Sequence, residues 1–130
     1  MISEPSRRSK RGQKAYRKGK WAESLSCLIL RIKGYKIIKR RYKSRQGEID
    51  IVASKGNRLA FIEVKARPTI AAGAEAVAPQ QQHRLHRAAA LFHAHNRGFS
   101  HYTMSFDLML VAPWHLPVHI KNAFPCSTLL

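Results

Sequence analysis

The stretch GEIDIVASKGNRLAFIEVKAR (Gly47–Arg67) decides the fold. It holds two runs rich in Ile, Val and Phe, Gly47–Ser54 and Arg58–Arg67. Only Lys55, Gly56 and Asn57 separate them, so the pair reads as a β-hairpin. A two-residue Gly56-Asn57 turn, with Gly at the first central position, suits type II′ geometry. Lys55 then pairs with Arg58, Val52 with Phe61, Asp50 with Glu63, and Glu48 with Lys65. A three-residue loop with a bulge would stagger these pairs. Period-two alternation puts Glu48, Asp50, Glu63 and Lys65 on one face, and Ile49, Ile51, Ile62 and Val64 on the other. Opposed side chains have Cβ atoms about 4.5–5.5 Å apart, so Asp50 and Glu63 become close like charges. A divalent cation would offset their repulsion and gain hard oxygen ligands. The competing reading is a solvated charge ladder, which contributes little to stability. Val52, Leu59 and Phe61 share the charged face, which argues that the face is covered and its charges have a purpose.

On the N-terminal side of the hairpin, residues 15–33 carry Trp21, Leu25, Leu28 and Ile32 at spacings of four, three and four. That makes an apolar helical stripe, stopped by Gly34. Tyr35–Tyr42 reads as a further strand. On the C-terminal side, Pro68 ends the hairpin's second strand and residues 69–78 read as a mobile loop. Pro79–Asn96 reads as a helix that buries Leu85, Ala88, Ala89 and Phe92, with Gly98 placed to stop it. Thr103–Val111 alternates cleanly as a strand, and Pro117–Lys121 suits a short last one. The order α-β-β-β-α-β-(β) implies a mixed α/β sheet with helices on its faces. Residues 1–14 form a basic arm, 15–124 one domain, and 125–130 a tail.

Lys and Arg total 24 against 7 Asp and Glu, a formal net charge of +17. Such an excess attracts polyanions, because neutralising phosphates releases condensed counterions. Nucleic acid is the leading partner class, with an anionic membrane surface or the ribosome as the others. Apolar runs fall well short of the roughly 18–20 residues of a membrane span, and the N-terminus lacks the pattern of a secretory signal. Cys27 and Cys126 are too few for a disulfide framework. A cytoplasmic or nucleoid setting follows as the expectation. Cys27 reads as a small buried hydrophobe. Tyr16, Trp21 and Tyr35 could stack on bases, but Trp21 fits the helix stripe and reads as core.

The hairpin's Asp50 followed by Glu63-x-Lys65 resembles the PD-(D/E)XK nuclease superfamily. More closely, the chain resembles the YraN family of small bacterial proteins, described as endonuclease-like. The residues that carry the likeness are Gly19–Glu23, Gly34-Tyr35, Gly47–Val52, Phe61–Arg67, Arg84-Leu85, Phe106-Asp107 and Asn122–Phe124. The resemblance implies a restriction-endonuclease-like core and a site using Mg²⁺ or Mn²⁺. It makes Asp50 and Glu63 metal ligands together with the Val64 carbonyl. It assigns Lys65 to the attacking water or the phosphate, and Glu23 to the neighbourhood of the metal. The superfamily's Pro before the Asp is Ile49 here. Gln81 stands where the family's second helix commonly begins with Lys, and Arg84 is the candidate substitute.

The expected chemistry is metal-assisted hydrolysis of phosphodiester bonds, with DNA the expected substrate. Arg45, Arg67, Arg84, Arg87 and Gln81 are the candidate nucleic-acid contacts. Nothing reads as a base-recognition helix, so shape (branched, flapped or single-stranded) is the expected basis of selection. The alternative is a non-catalytic nucleic-acid-binding protein that retains the nuclease fold. A homodimer is compatible with either reading.

Overall fold

Gly56 turns the chain with φ +61°, as a type II′ hairpin requires at its first central position. The computed structural model describes residues 19–71 and 77–124. Its strands are β1 (Lys36–Lys43), β2 (Glu48–Lys55), β3 (Arg58–Ala66), β4 (Thr103–Val111) and β5 (Val118–Ile120). Helix α1 occupies 19–32 of the described residues, and α2 spans Pro79–His95. The predicted basic arm, the tail and the first four residues of the predicted first helix, 15–18, lie outside the described residues. Of the stretch read as a loop, residues 70–71 are helical and 72–76 lie outside that description.

The five strands form one sheet in the order β1-β2-β3-β4-β5. All neighbours are antiparallel except β3 and β4. A parallel pair needs a long crossover, and the segment containing α2 supplies it. The predicted hairpin register holds: Lys55 pairs with Arg58, Val52 with Phe61 and Ile51 with Ile62. The mixed sheet between two helices is the α/β architecture the sequence implied.

Each face of the sheet has its own core. Ile49, Val52, Leu59, Phe61, Phe106, Leu108 and Leu110 pack under Leu85, Ala88, Ala89 and Phe92 of α2. Ile51, Ala53, Ala60, Ile62, Met109 and Val111 pack under Ala22, Cys27 and Leu30 of α1. Burial on both faces explains the near-continuous apolar run of β3. The β1 edge instead carries Lys36, Lys39, Arg40, Arg41 and Lys43, charges that discourage another strand from adding there.

Helix α1 corrects one expectation. Most of its apolar stripe faces outward: Trp21 is 59% exposed, Leu28 52% and Ile32 73%, while Leu25 is half-buried against the core. The buried face is Ala22, Glu23, Ser26, Cys27 and Leu30. At about 100° per residue the two sets lie on nearly opposite sides of the helix. Within this buried face Ser26 satisfies its hydroxyl by donating to the Ala22 carbonyl at 2.7 Å. The helix ends as anticipated at Gly34, whose φ is +94°. The Tyr35 N–H bonds the Leu30 carbonyl and the Gly34 N–H bonds that of Arg31, a Schellman stop. At the end of α2 the expectation fails. Asn96 caps the helix, and Gly98 lies inside the following turn of 3₁₀ helix, Arg97–Phe99.

Candidate metal centre and its surroundings

The hairpin's regular pairing stops at Ile51–Ile62, one step before Asp50 and Glu63 would face each other. There the Val64 N–H donates to Asp50 Oδ2 at 2.8 Å. Alternation also breaks at this level. Ile49 joins the core under α2, whereas Ile51, two residues on, joins the core under α1. In β1 the residue between the pairs Arg40–Ile51 and Tyr42–Ile49 is Arg41, whose φ is +53°. A left-handed residue in a strand turns the pleat over, and β2 follows it.

The phase change redistributes the charged set. Glu48, Asp50, Glu63 and Lys65 do not share one face. Asp50 and Glu48 line a cleft of 380 Å³ beside α1, with Gly19, Lys20, Glu23, Arg41, Lys43 and Val64. Glu63 lies towards α2, where it accepts a hydrogen bond from Gln81 at 2.9 Å and an ion pair from Lys65 at 3.1 Å. The Glu63 charge still acts on Asp50 at the end of the sheet. Burial first, and the Glu63 charge second, push the Asp50 carboxyl up to about 7, against the lowering effect of the Val64 N–H.

Glu23 sits on the buried face of α1 with its carboxylate held by two guanidinium groups. Arg40 Nε donates at 3.1 Å and Arg41 Nε at 2.9 Å. The left-handed Arg41 lets two consecutive residues of β1 reach the same acceptor. Glu23 thus fixes cationic groups at the cleft wall.

The remaining predicted contacts are spread out. Arg45 lies exposed in the turn between β1 and β2, and Arg84 and Arg87 lie exposed on α2. Arg67, just beyond β3, is half-buried and donates to the Ala66 carbonyl. Gln81 is engaged with Glu63. Val64, expected to offer its carbonyl to a metal, contributes its N–H to Asp50 and its side chain to the core under α1.

The donor set bears on which cation the site fits. Among the described residues no three His, Cys, Asp or Glu side chains converge to hold a metal unaided. Mg²⁺ is usually bound by one or two carboxylates, completing its shell with water and substrate phosphates. Asp50 and Glu63 suit that pattern, whereas a soft or fully protein-ligated ion has too few donors.

Sequence reasoning missed a second polar cluster, under the C-terminal half of α1. Asp107 is fully buried on β4. It accepts from Arg58 at 3.0 Å, His119 at 2.7 Å, the Asn122 N–H at 2.9 Å, and the Ser105 hydroxyl. Burial alone would raise its carboxyl. The hydrogen bonds from His119, Ser105 and Asn122, together with the Arg58 charge, outweigh burial and hold it below the ordinary value. The available signal was an acidic residue in a strand apolar on both faces, which requires partners. Those partners come from four separate segments, so no local pattern names them.

Among the described residues no helix is long and apolar enough to cross a membrane. The profile of "Uncharacterised protein family UPF0102" matches residues 22–111. A UPF0102 protein of Mesorhizobium japonicum is 40% identical over 112 residues, covering 86% of this chain and 90% of the relative. One from Paramagnetospirillum magneticum is 44% identical over 120 residues, covering 89% and 93%. One from Parvibaculum lavamentivorans is 45% identical over 113 residues, covering 87% and 85%. The match spans α1, the central hairpin, α2 and β4, and the chain belongs to the UPF0102 family, also called the YraN family.

Proposed function

We propose that this protein is a metal-dependent nuclease that binds DNA by shape and hydrolyses its phosphodiester bonds. One observation carries the reading. Two carboxylates, Asp50 and Glu63, lie at one end of the central hairpin, where burial and the Glu63 charge raise the Asp50 carboxyl and Lys65 pairs with Glu63. Maintaining such a pair costs stability, and functional sites are where such costs persist.

Asp50 and Glu63 would hold a Mg²⁺ or Mn²⁺ ion, which supplies charge neutralisation at a phosphoryl oxygen and acidifies a water. The chain's own groups do the rest. Gln81 and Lys65 fix one oxygen of Glu63, and the Val64 N–H fixes one of Asp50, so both carboxylates are oriented in advance. The Lys65 ammonium places positive charge where negative charge grows on the phosphate. Arg41, Lys43 and Lys20 line the cleft on the α1 side and suit a sugar-phosphate backbone. Arg45, Arg84 and Arg87 extend the cationic surface. The net charge of +17 supports a polyanionic partner.

A second reading is favoured by one observation. Lys65 and Gln81 already engage one oxygen of Glu63 without a cation, as a non-catalytic DNA-binding protein that retained the nuclease fold would need. Cleavage of labelled duplex, single-stranded, flapped and four-way-junction DNA in Mg²⁺ or Mn²⁺ separates the two. The nuclease reading expects metal-dependent cutting, lost in Asp50→Ala and Lys65→Ala while DNA binding persists. Binding without cutting, unchanged in both variants, selects the non-catalytic protein.

A further inference from the structure

The outward stripe of α1 begins at a second cleft, of 340 Å³, on the same side of the sheet as the Asp50 cleft. Trp21 forms one wall; Arg67, Pro68, Val111 and Pro113 form much of the rest. The two clefts meet along β3. Val64 lines the first and Ala66 the second, two residues or about 7 Å apart. They also share the first turns of α1, where Lys20 and Glu23 face one cleft and Trp21 the other.

A tryptophan that is 59% exposed contributes little to a core and leaves much of its ring open. The cleft walls are predominantly apolar, with one guanidinium, that of Arg67. The next residue beyond Pro113 is Trp114, fully exposed and held at φ +61°. That conformation is unusual for a bulky side chain, and the turn closes with the His115 N–H on the Ala112 carbonyl. Both tryptophans of the chain are therefore presented to solvent at or next to one apolar cleft. A flat aromatic ring, a guanidinium and an apolar slot are what an unstacked base needs, and Lys20, Arg41 and Lys43 of the Asp50 cleft alongside suit the backbone that carries it. A base pair inside a duplex cannot offer its face.

We infer that the Trp21–Arg67 cleft receives an unstacked base of a single-stranded or splayed nucleic acid. Trp21 is the stacking platform, and the attached backbone runs into the Asp50 cleft. This deepens the nuclease reading by naming single-stranded character as the feature selected, and it rests on that reading only for the consequence of binding. A second copy of the chain is the other occupant an apolar cleft could have. The charge of +17 on each copy opposes that pairing and favours a polyanion.

The test uses the full chain carrying Trp114→Phe, so that Trp21 is the only indole, in chelator without metal. Tryptophan fluorescence is titrated with an oligothymidylate, with an abasic strand of equal length and phosphate number, and with a blunt duplex. The expected result is strong quenching by the oligothymidylate and little by the other two. Trp21→Ala should weaken oligothymidylate binding roughly 5- to 150-fold, leave duplex binding within about twofold, and be largely rescued by Trp21→Phe. Equal quenching by the abasic strand, or no loss in Trp21→Ala, overturns the inference. So does loss of a dimer in Trp21→Ala on sedimentation with strand binding unchanged, which assigns the cleft to a second copy. Quenching that survives alongside a failure to cut any DNA rejects the nuclease and keeps the stacking site. Cutting without a base-dependent signal does the reverse.

Discussion

Replacing Asp50 by Asn should stabilise the metal-free protein in a pH-dependent way, because the folded chain suppresses this carboxyl's ionisation. The rise from 3.8 to about 7 corresponds to about 4 kcal/mol at 1.36 kcal/mol per pH unit. Asp50 keeps some solvent contact, so a realistic gain is about 2–4 kcal/mol. Between the two values the folded state binds more protons than the unfolded one, so stability falls as pH rises from about 4 to about 7. The penalty is complete above 7 and absent near 4. Asn is nearly isosteric and its carbonyl can still accept from Val64, so the substitution removes the charge and little else. Urea unfolding in chelator at pH 8 should show the Asn variant's midpoint raised by about 1–2 M, taking a slope of ~2 kcal/mol/M. At pH 3.5 the two midpoints should nearly coincide. Added Mn²⁺ at pH 8 should stabilise the native sequence, by about 2.7 kcal/mol at 100 times its dissociation constant, and leave the variant almost unmoved. Equal midpoints at pH 8, or the same gain at both pH values, would refute the argument.

Two further substitutions probe the frame around the site. Asp107→Ala leaves Arg58 and His119 facing a vacant acceptor and should cost about 3–5 kcal/mol in urea unfolding. Because the Asp107 carboxyl is held below its ordinary value, its contribution is present above pH 4 and disappears as pH falls through the folded value. Asp107→Asn should therefore flatten the acid limb of the stability profile. Gly47→Ala should destabilise by about 1–3 kcal/mol. Gly47 has φ +153°, and a Cβ there would lie 3.1 Å from both Arg84 Cβ and the Arg84 carbonyl oxygen. A drop in thermal midpoint without a change in the urea slope would identify it as the close contact that seats the β1–β2 turn on α2.

Much of this architecture was legible because it is locally encoded. Gly56-Asn57 set the hairpin register, Gly34 the end of α1, and Leu85, Ala88, Ala89 and Phe92 the buried face of α2. What could not be read came from tertiary causes. Helix α1 offered two faces, and size favoured the wrong one. Trp21, Leu28 and Ile32 carry more apolar area than Ala22, Ser26 and Cys27, yet it is the second set that is buried. Asp50 and Glu63 were identified as neighbours, but their distribution over the sheet was not. Counting by twos fails across Arg41, and an arginine in the left-handed region gives no warning in the sequence. The Asp107 cluster was invisible as a unit because its donors come from β3, β4, β5 and the turn after β5.

Strand β5 has three residues, and it shields the C-terminal half of β4 by pairing with Leu108, Met109 and Leu110. Its tie to the sheet runs partly through His119 on Asp107, a polar fastening beside the apolar packing of Val118 and Ile120. Acid that protonates Asp107 therefore loosens the guard on the longest apolar edge of the sheet. A bare edge of that kind templates addition of a foreign strand. The same carboxylate that organises the interior is thus also one of the ties that keep the edge of β4 covered.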